Sequence, residues 1–236
     1  MIGEEQQQTE TVACSECFKP YEVPVFMVGT RKIRFDSTCD ECADKEQKAY
    51  EEQMKRDEQA QRLAAFASLC PPLYQDTDPS RIYTPYVRAV EDWEFNPTGL
   101  ILVGPAGKGK SRAAWMLIKR YILAGKRCFG VTATQLAKFA ADQWHSRVED
   151  RNKAEYVIQE CKSCSILLLD DLGKQKFTER AELELFDILE YRTSHKKPTI
   201  ATSNSDGKSF RQMLSEDRGE PILRRLQQFS TIIQYK

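Results

Sequence analysis

Gly104, Pro105, Ala106, Gly107, Lys108, Gly109, Lys110 and Ser111 follow one another in the spacing G-x-x-x-x-G-K-S. That spacing lets backbone N–H groups wrap a phosphate, and a helix N-terminus behind them adds partial positive charge. In such a loop Lys110 reaches the outer phosphates of a nucleoside triphosphate and the Ser111 hydroxyl ligates Mg²⁺. Arg112, the next residue, joins the binding set. The chemistry requires a strand before the loop and a helix after it. Residues 99–103, Gly-Leu-Ile-Leu-Val, supply the apolar run. Residues 112–123 offer Ala113, Ala114, Leu117, Ile118 and Tyr121 for one buried helical face. A chance glycine-rich turn would not need both flanks.

About sixty residues on, Ser165-Ile-Leu-Leu-Leu-Asp-Asp-Leu-Gly173 places two carboxylates after four apolar residues. The run suits a strand buried on both faces of a parallel sheet, whose C-terminal end is where such sheets bind ligands. Asp170 is assigned to the Mg²⁺ shell through water, and Asp171 to orienting or deprotonating the attacking water. Taken alone, the pair could equally cap the next helix. A third apolar run, Pro198-Thr-Ile-Ala-Thr-Ser-Asn204, ends in an amide. Asn204 there could stand near the γ-phosphate and the lytic water, although Ser-Asn after a strand also makes an ordinary turn.

Together these three elements resemble the AAA+ ATPases, and within them the bacterial helicase-loader (DnaC-like) and IstB-type transposition ATPases. Residues 184–192 are similar to that group's helix and residues 197–204 to its sensor strand. Residues 221–233, Pro-Ile-Leu-Arg-Arg-Leu-Gln-Gln-Phe-Ser-Thr-Ile-Ile, resemble its terminal helix and strand. The resemblance covers about residues 67–236. It implies ATP as the nucleotide and a P-loop α/β fold, a parallel sheet sandwiched by helices. It also implies an arginine that faces a neighbouring subunit's nucleotide in an ATP-dependent homo-oligomer. Arg225 is the finger by that resemblance and Arg224 the reserve; two surface arginines on an amphipathic helix are the plainer alternative. Residues 69–74 would lie near the adenine. The last strand falls at the chain's end, so the helical lid of many relatives is expected to be missing, as in helicase loaders and IstB-like proteins.

The front of the chain carries different chemistry. Cys14-x-x-Cys17 and Cys39-x-x-Cys42 are two pairs with 21 residues between them. That is zinc-ribbon spacing: each pair sits on a tight turn, and four thiolates close a tetrahedral structural site. A module of this size has little core, so Zn²⁺ would supply most of its folding energy. Disulfides are the alternative. An ATPase core without a signal peptide argues instead for a reducing, cytoplasmic setting. Cys161-x-x-Cys164 lacks a matching pair and reads as two ordinary cysteines. Cys70 and Cys128 carry no assignment.

The expected organisation is therefore a zinc-ribbon-like β module over residues 1–45, a charged helical linker over 46–66 and the ATPase domain over 67–236. Prolines at 71 and 72 end any helix there. At 236 residues and 41% hydrophobic, the chain fits one ordinary domain with a small appendage, and no run is long enough to span a membrane. The formal net charge of zero hides an asymmetry: residues 1–66 hold 9 Lys and Arg against 14 Asp and Glu, a net −5, and the rest carries +5. An acidic module is repelled by phosphates, so a protein partner is favoured for it over nucleic acid, despite the basic spot Arg31-Lys32-Ile33-Arg34. DNA would belong on the ATPase domain, with Lys174 and Lys176 as candidates.

Three functions fit. The first is a loader whose front module grips a replicative helicase while ATP-dependent assembly on single-stranded DNA positions the ring. The second is a transposition ATPase that remodels duplex DNA and recruits a transposase. The third is a slow nucleotide switch. The appended zinc module favours the loader.

Overall fold

The computed structural model describes residues 8–34, 38–173 and 177–236. Lys174 and Lys176 lie outside them. The chain divides into two compact units, Met1–Ala60 and Gln61–Lys236.

The first unit holds strands β1 (Gln8–Ala13), β2 (Pro20–Val28) and β3 (Arg31–Arg34), followed by helix α1 (Asp40–Leu69), which continues into the second unit. The strands form an antiparallel sheet in the order β1-β2-β3. Gly29 takes φ 64° in the turn between β2 and β3, which glycine adopts without strain. Among the described residues of this unit few side chains are buried: Cys14, Val23, Val25 and Cys39 stand out. Helix α1 starts inside the second cysteine pair, earlier than the charge pattern alone suggests. Asp40 and Glu41 in its first turn favour the helix N-terminus, and Pro71 and Pro72 stop it.

The second unit continues with α2 (Pro72–Gln75), a 3₁₀ turn (Pro79–Arg81), α3 (Thr84–Asp92), β4 (Gly99–Val103) and α4 (Lys110–Leu123). Next come β5 (Cys128–Thr132), α5 (Ala133–Asp142), α6 (Val148–Ser163), β6 (Ile166–Leu172) and α7 (Glu179–Ser194). It closes with β7 (Thr199–Ser203), α8 (Gly207–Arg211), α9 (Glu216–Gln228) and β8 (Ser230–Gln234). The five strands are parallel, in the order β5-β6-β7-β4-β8.

Period-two alternation explains the layering. Ile166 and Leu168 of β6 join Leu100, Leu102 and Ile200 on the face covered by α3 and α4. Leu167 and Leu169 join Ile101 and Ala201 on the face covered by α5, α6, α7 and α9. A strand buried on both sides must be apolar throughout, as β6 is through Leu169. Each such leucine contributes about 2 kcal/mol by leaving water. The order also puts β7 between β4 and β6, so the segments leaving all three meet at one edge.

Two contacts fix α9 on α7. Glu182, buried, accepts hydrogen bonds from the Ser215 N–H at 2.8 Å and the Ser215 hydroxyl at 2.5 Å. Ser215 in turn caps α9 by accepting from the Arg218 N–H. The second contact is Glu190 with Arg225. Among the described residues, no helix is long and apolar enough to cross a membrane.

Candidate functional site

The glycine-rich loop leaves β4 under tight packing. A Cβ on Gly104 would stand 2.4 Å from the Tyr86 hydroxyl and 2.5 Å from Tyr235 Cβ, so glycine is required. The Tyr86 hydroxyl and the Tyr235 N–H both donate to the Val103 carbonyl, at 2.6 and 2.8 Å, bracing the loop from behind. Gly109 takes φ 84°, the left-handed turn that starts α4, and the Ile82 Cα would lie 2.9 Å from a Cβ there. Helix α4 thus begins at Lys110, inside the motif, two residues earlier than the apolar periodicity indicates.

Lys110 is 5% exposed. Its ammonium donates to the carbonyls of Gly104 at 2.7 Å and Pro105 at 2.9 Å, and to Asn204 Oδ1 at 2.7 Å. Burial pulls its pKa below the ordinary lysine value, against the attraction of Asp171 and Asp170. The Ser111 hydroxyl donates to Asp170 Oδ1 at 2.8 Å. Burial pushes the Asp170 carboxyl up, opposed by hydrogen bonds from Thr202 and Ser111. Two hard oxygen donors side by side at a helix N-terminus suit Mg²⁺, which takes one or two protein oxygens and keeps its waters.

Asp171 and Asn204 line one cavity of about 410 Å³ with Ala106, Gly107, Gly109, Lys110, Ser111 and Arg112. Leu73, Tyr74 and Arg81 complete its wall. The Arg112 guanidinium lies 5.9 Å from the Tyr74 ring centre. The Lys108 ammonium lies 4.7 Å from the Tyr235 ring centre, leaving the Lys108 backbone to serve the loop. Arg81 carried no signal in the sequence; it reaches the cavity because Ile82 packs on Gly109 and the Tyr83 N–H donates to the Lys108 carbonyl.

Arg225 stands apart from this cavity. Its guanidinium is paired with Glu190 through Nε and Nη2 and lies 4.5 Å from the Phe186 ring centre. Arg224, one residue earlier, is exposed. Both arginines line a second cavity of about 470 Å³ between α7 and α9. No signal in the sequence tied Glu190 to this arginine.

In the first unit, the Sγ atoms of Cys14, Cys17, Cys39 and Cys42 all lie within 4.8 Å of one another. A tetrahedral zinc with bonds of about 2.3 Å sets its sulfurs roughly 3.8 Å apart, so the quartet fits that ion. The backbone N–H groups of Cys17 and then Cys39 hold the Cys14 thiol down at about 6, favouring the thiolate a metal needs. In the basic spot, Lys32 pairs with Glu10 and Arg34 lies 3.6 Å from the same carboxylate.

Cys161 and Cys164 are fully buried, and burial pushes the Cys161 thiol up to about 12. Both lie beside Arg192, a fully buried guanidinium that sequence patterning missed. It donates to the carbonyls of Cys161, Cys164 and Pro198 and to the Thr199 hydroxyl, tying α7 to the starts of β6 and β7.

The comparisons with known proteins agree with this architecture. Over 127 residues the chain is 23% identical to the replicative helicase loader DnaC of Escherichia coli K12, covering 54% of this chain and 51% of that one. It thus spans about half the length of the curated relatives it matches. AMPPCP-bound DnaA from Aquifex aeolicus superposes with a TM-score of 0.53 at 18% identity, over 70% of this chain and 51% of that one. The crystal structure of DnaI superposes at 0.52 and 22% identity, over 64% and 81%. These superpositions show a shared α/β fold, a parallel sheet flanked by helices. The family model described as IstB-like ATP binding protein matches residues 40–236, and the chain belongs to that family.

Proposed function

We propose that the chain is a cytoplasmic ATPase that loads a replicative helicase, assembling on single-stranded DNA with ATP. The observation that carries the ATPase part is the convergence of Lys110, Ser111, Asp171 and Asn204 on one cavity at the N-terminus of α4, with buried Asp170 bonded to Ser111 behind its wall. The loop N–H groups and Lys110 would hold the phosphates, the lysine exchanging carbonyl acceptors for phosphate oxygens. Ser111 and Asp170 would hold Mg²⁺, which neutralises charge on the β- and γ-phosphates. Asp171 would orient the water, and Asn204 would join Lys110 to the γ-phosphate end. Tyr74 and Leu73 would face the base.

Hydrolysis in this scheme is completed by a second copy. Arg225 lies outside its own chain's nucleotide cavity and beside one on the α7–α9 face, a placement suited to action in trans. To act there it must leave Glu190, which makes assembly a condition of turnover. Exposed Arg224 is the reserve.

Two observations support the loader reading. The first unit exposes Phe18, Met27 and Val28 while Glu10 engages Lys32 and Arg34 of its basic spot, which suits a protein partner better than nucleic acid. On the second unit, Trp144 is 74% exposed with the Arg180 guanidinium 5.6 Å from its ring centre. An open indole backed by a cation stacks bases without sequence preference. The family match itself favours a second reading, an IstB-type transposition ATPase acting on duplex DNA. Measuring turnover with single-stranded and duplex DNA separates them: stimulation by single strands alone supports the loader, and stimulation by duplex alone supports transposition.

A further inference from the structure

Thr202 is fully buried in the middle of the sheet, in a strand whose five residues are all buried. A buried hydroxyl is costly unless bonded. This one makes two hydrogen bonds, and both go to the Asp pair: it donates to Asp170 Oδ1 at 2.5 Å and accepts from the Asp171 N–H at 3.0 Å.

The register explains why. Leu169 pairs with Ala201 and Leu172 with Ser203, so Asp170 and Asp171 together face Thr202 alone. This is a β-bulge, two residues opposite one, and Asp171 adopts φ 60° within it. In a regular strand, successive side chains point to opposite faces. Here Asp170 touches Ser111 and Asp171 lines the same nucleotide cavity. The bulge is what lets two consecutive carboxylates serve one site.

We propose that Thr202 is a positioning residue of the ATP site: its hydroxyl holds the bulge that aims Asp170 at the metal position and Asp171 into the cavity. The inference rests on the ATPase reading and names the group that sets its geometry. Serine at 202 retains the hydroxyl; valine keeps the shape and removes it, leaving the Asp171 N–H without its acceptor.

The test compares the full-length chain with Thr202→Val and Thr202→Ser, using ATP titrations with and without Mg²⁺ alongside turnover. For Thr202→Val, metal-free ATP affinity should stay within about threefold of the parent, while the Mg²⁺ needed for half-maximal binding rises roughly tenfold. Turnover should fall about ten- to a hundredfold with KM little changed, and Thr202→Ser should restore most of both. Normal metal dependence and turnover in a folded Thr202→Val protein would overturn the proposal, as would equal losses in the two variants. If the valine variant does not fold, amide exchange in the parent decides: the Asp171 N–H should be protected, and free exchange would overturn the assignment. A parent that binds ATP no better than Lys110→Ala would sink the nucleotide reading itself, which is a distinct result.

Discussion

Lys110 Nζ and Asn204 Oδ1 are 2.7 Å apart, which joins the lysine of the glycine-rich loop to the amide that follows the neighbouring strand. The parallel order β6-β7-β4 makes that contact, since the loop after β4 and the turn after β7 leave adjacent strands. Lys110→Ala should abolish ATP binding in calorimetry. Asn204→Ala should keep ATP affinity within about fivefold but lower turnover roughly a hundredfold, because an amide aimed at developing charge acts mainly in the transition state. An Asn204→Ala protein with normal turnover would remove that residue from the mechanism.

Asp171 and Asp170 should separate by substitution. Asp171→Asn is expected to bind Mg²⁺ and ATP with near-parental affinity and hydrolyse ATP at least about a hundredfold more slowly. Asp170→Asn should instead raise the Mg²⁺ needed for half-maximal binding. Single-turnover kinetics with a metal titration distinguish the two.

The Arg225–Glu190 pair predicts an assembly effect. Arg225→Ala should cut hydrolysis only at concentrations where the chain self-associates. Mixing it with Lys110→Ala should recover part of the activity, since each copy then supplies what the other lacks. Glu190→Gln should raise turnover by roughly threefold in assemblies, by releasing the arginine from an in-chain partner worth about 1 kcal/mol. Activity independent of protein concentration in all three would point to a single-chain switch.

Arg192 makes a stability prediction free of nucleotide. Arg192→Leu leaves several buried carbonyls without donors and should cost about 3 kcal/mol in urea unfolding. Lysine should not rescue it, because one ammonium cannot span acceptors from α6, the turn before β6 and the start of β7 as a planar guanidinium does.

Metal analysis should return about one zinc per chain, held by Cys14, Cys17, Cys39 and Cys42. A strong chelator should expose residues 8–39 to protease while ATP affinity of the second unit stays within about twofold. Removal of metal without any change in the first unit would argue that the cysteines do not hold it up.

What could be read from the sequence was local. The glycine-rich loop, the Asp pair, Asn204 and each cysteine pair sit in short contiguous runs that spacing alone picks out as candidates. The strands flanking them follow from apolar runs, and α1 from its charge and lack of glycine. The relationships that tune the site span long separations: Thr202 lies 31 and 32 residues from the Asp pair it joins, and Arg225 lies 35 from Glu190. Patterning shows Thr202 only as one polar residue in a buried strand, and it shows Arg192 only as a charge near a helix end. The bulge at Asp170 and Asp171 was hidden for the same reason, because register exists only once β6 meets β7.

The most direct test of the loader account is capture from a lysate of the organism that carries the chain. The bait is full-length Asp171→Asn protein held with Mg²⁺ and ATP, beside a chain lacking residues 1–66. The account predicts that a replicative helicase is retained by the full-length protein and not by the shortened one. Retention of a transposase in its place, or of no helicase by either chain, would contradict it.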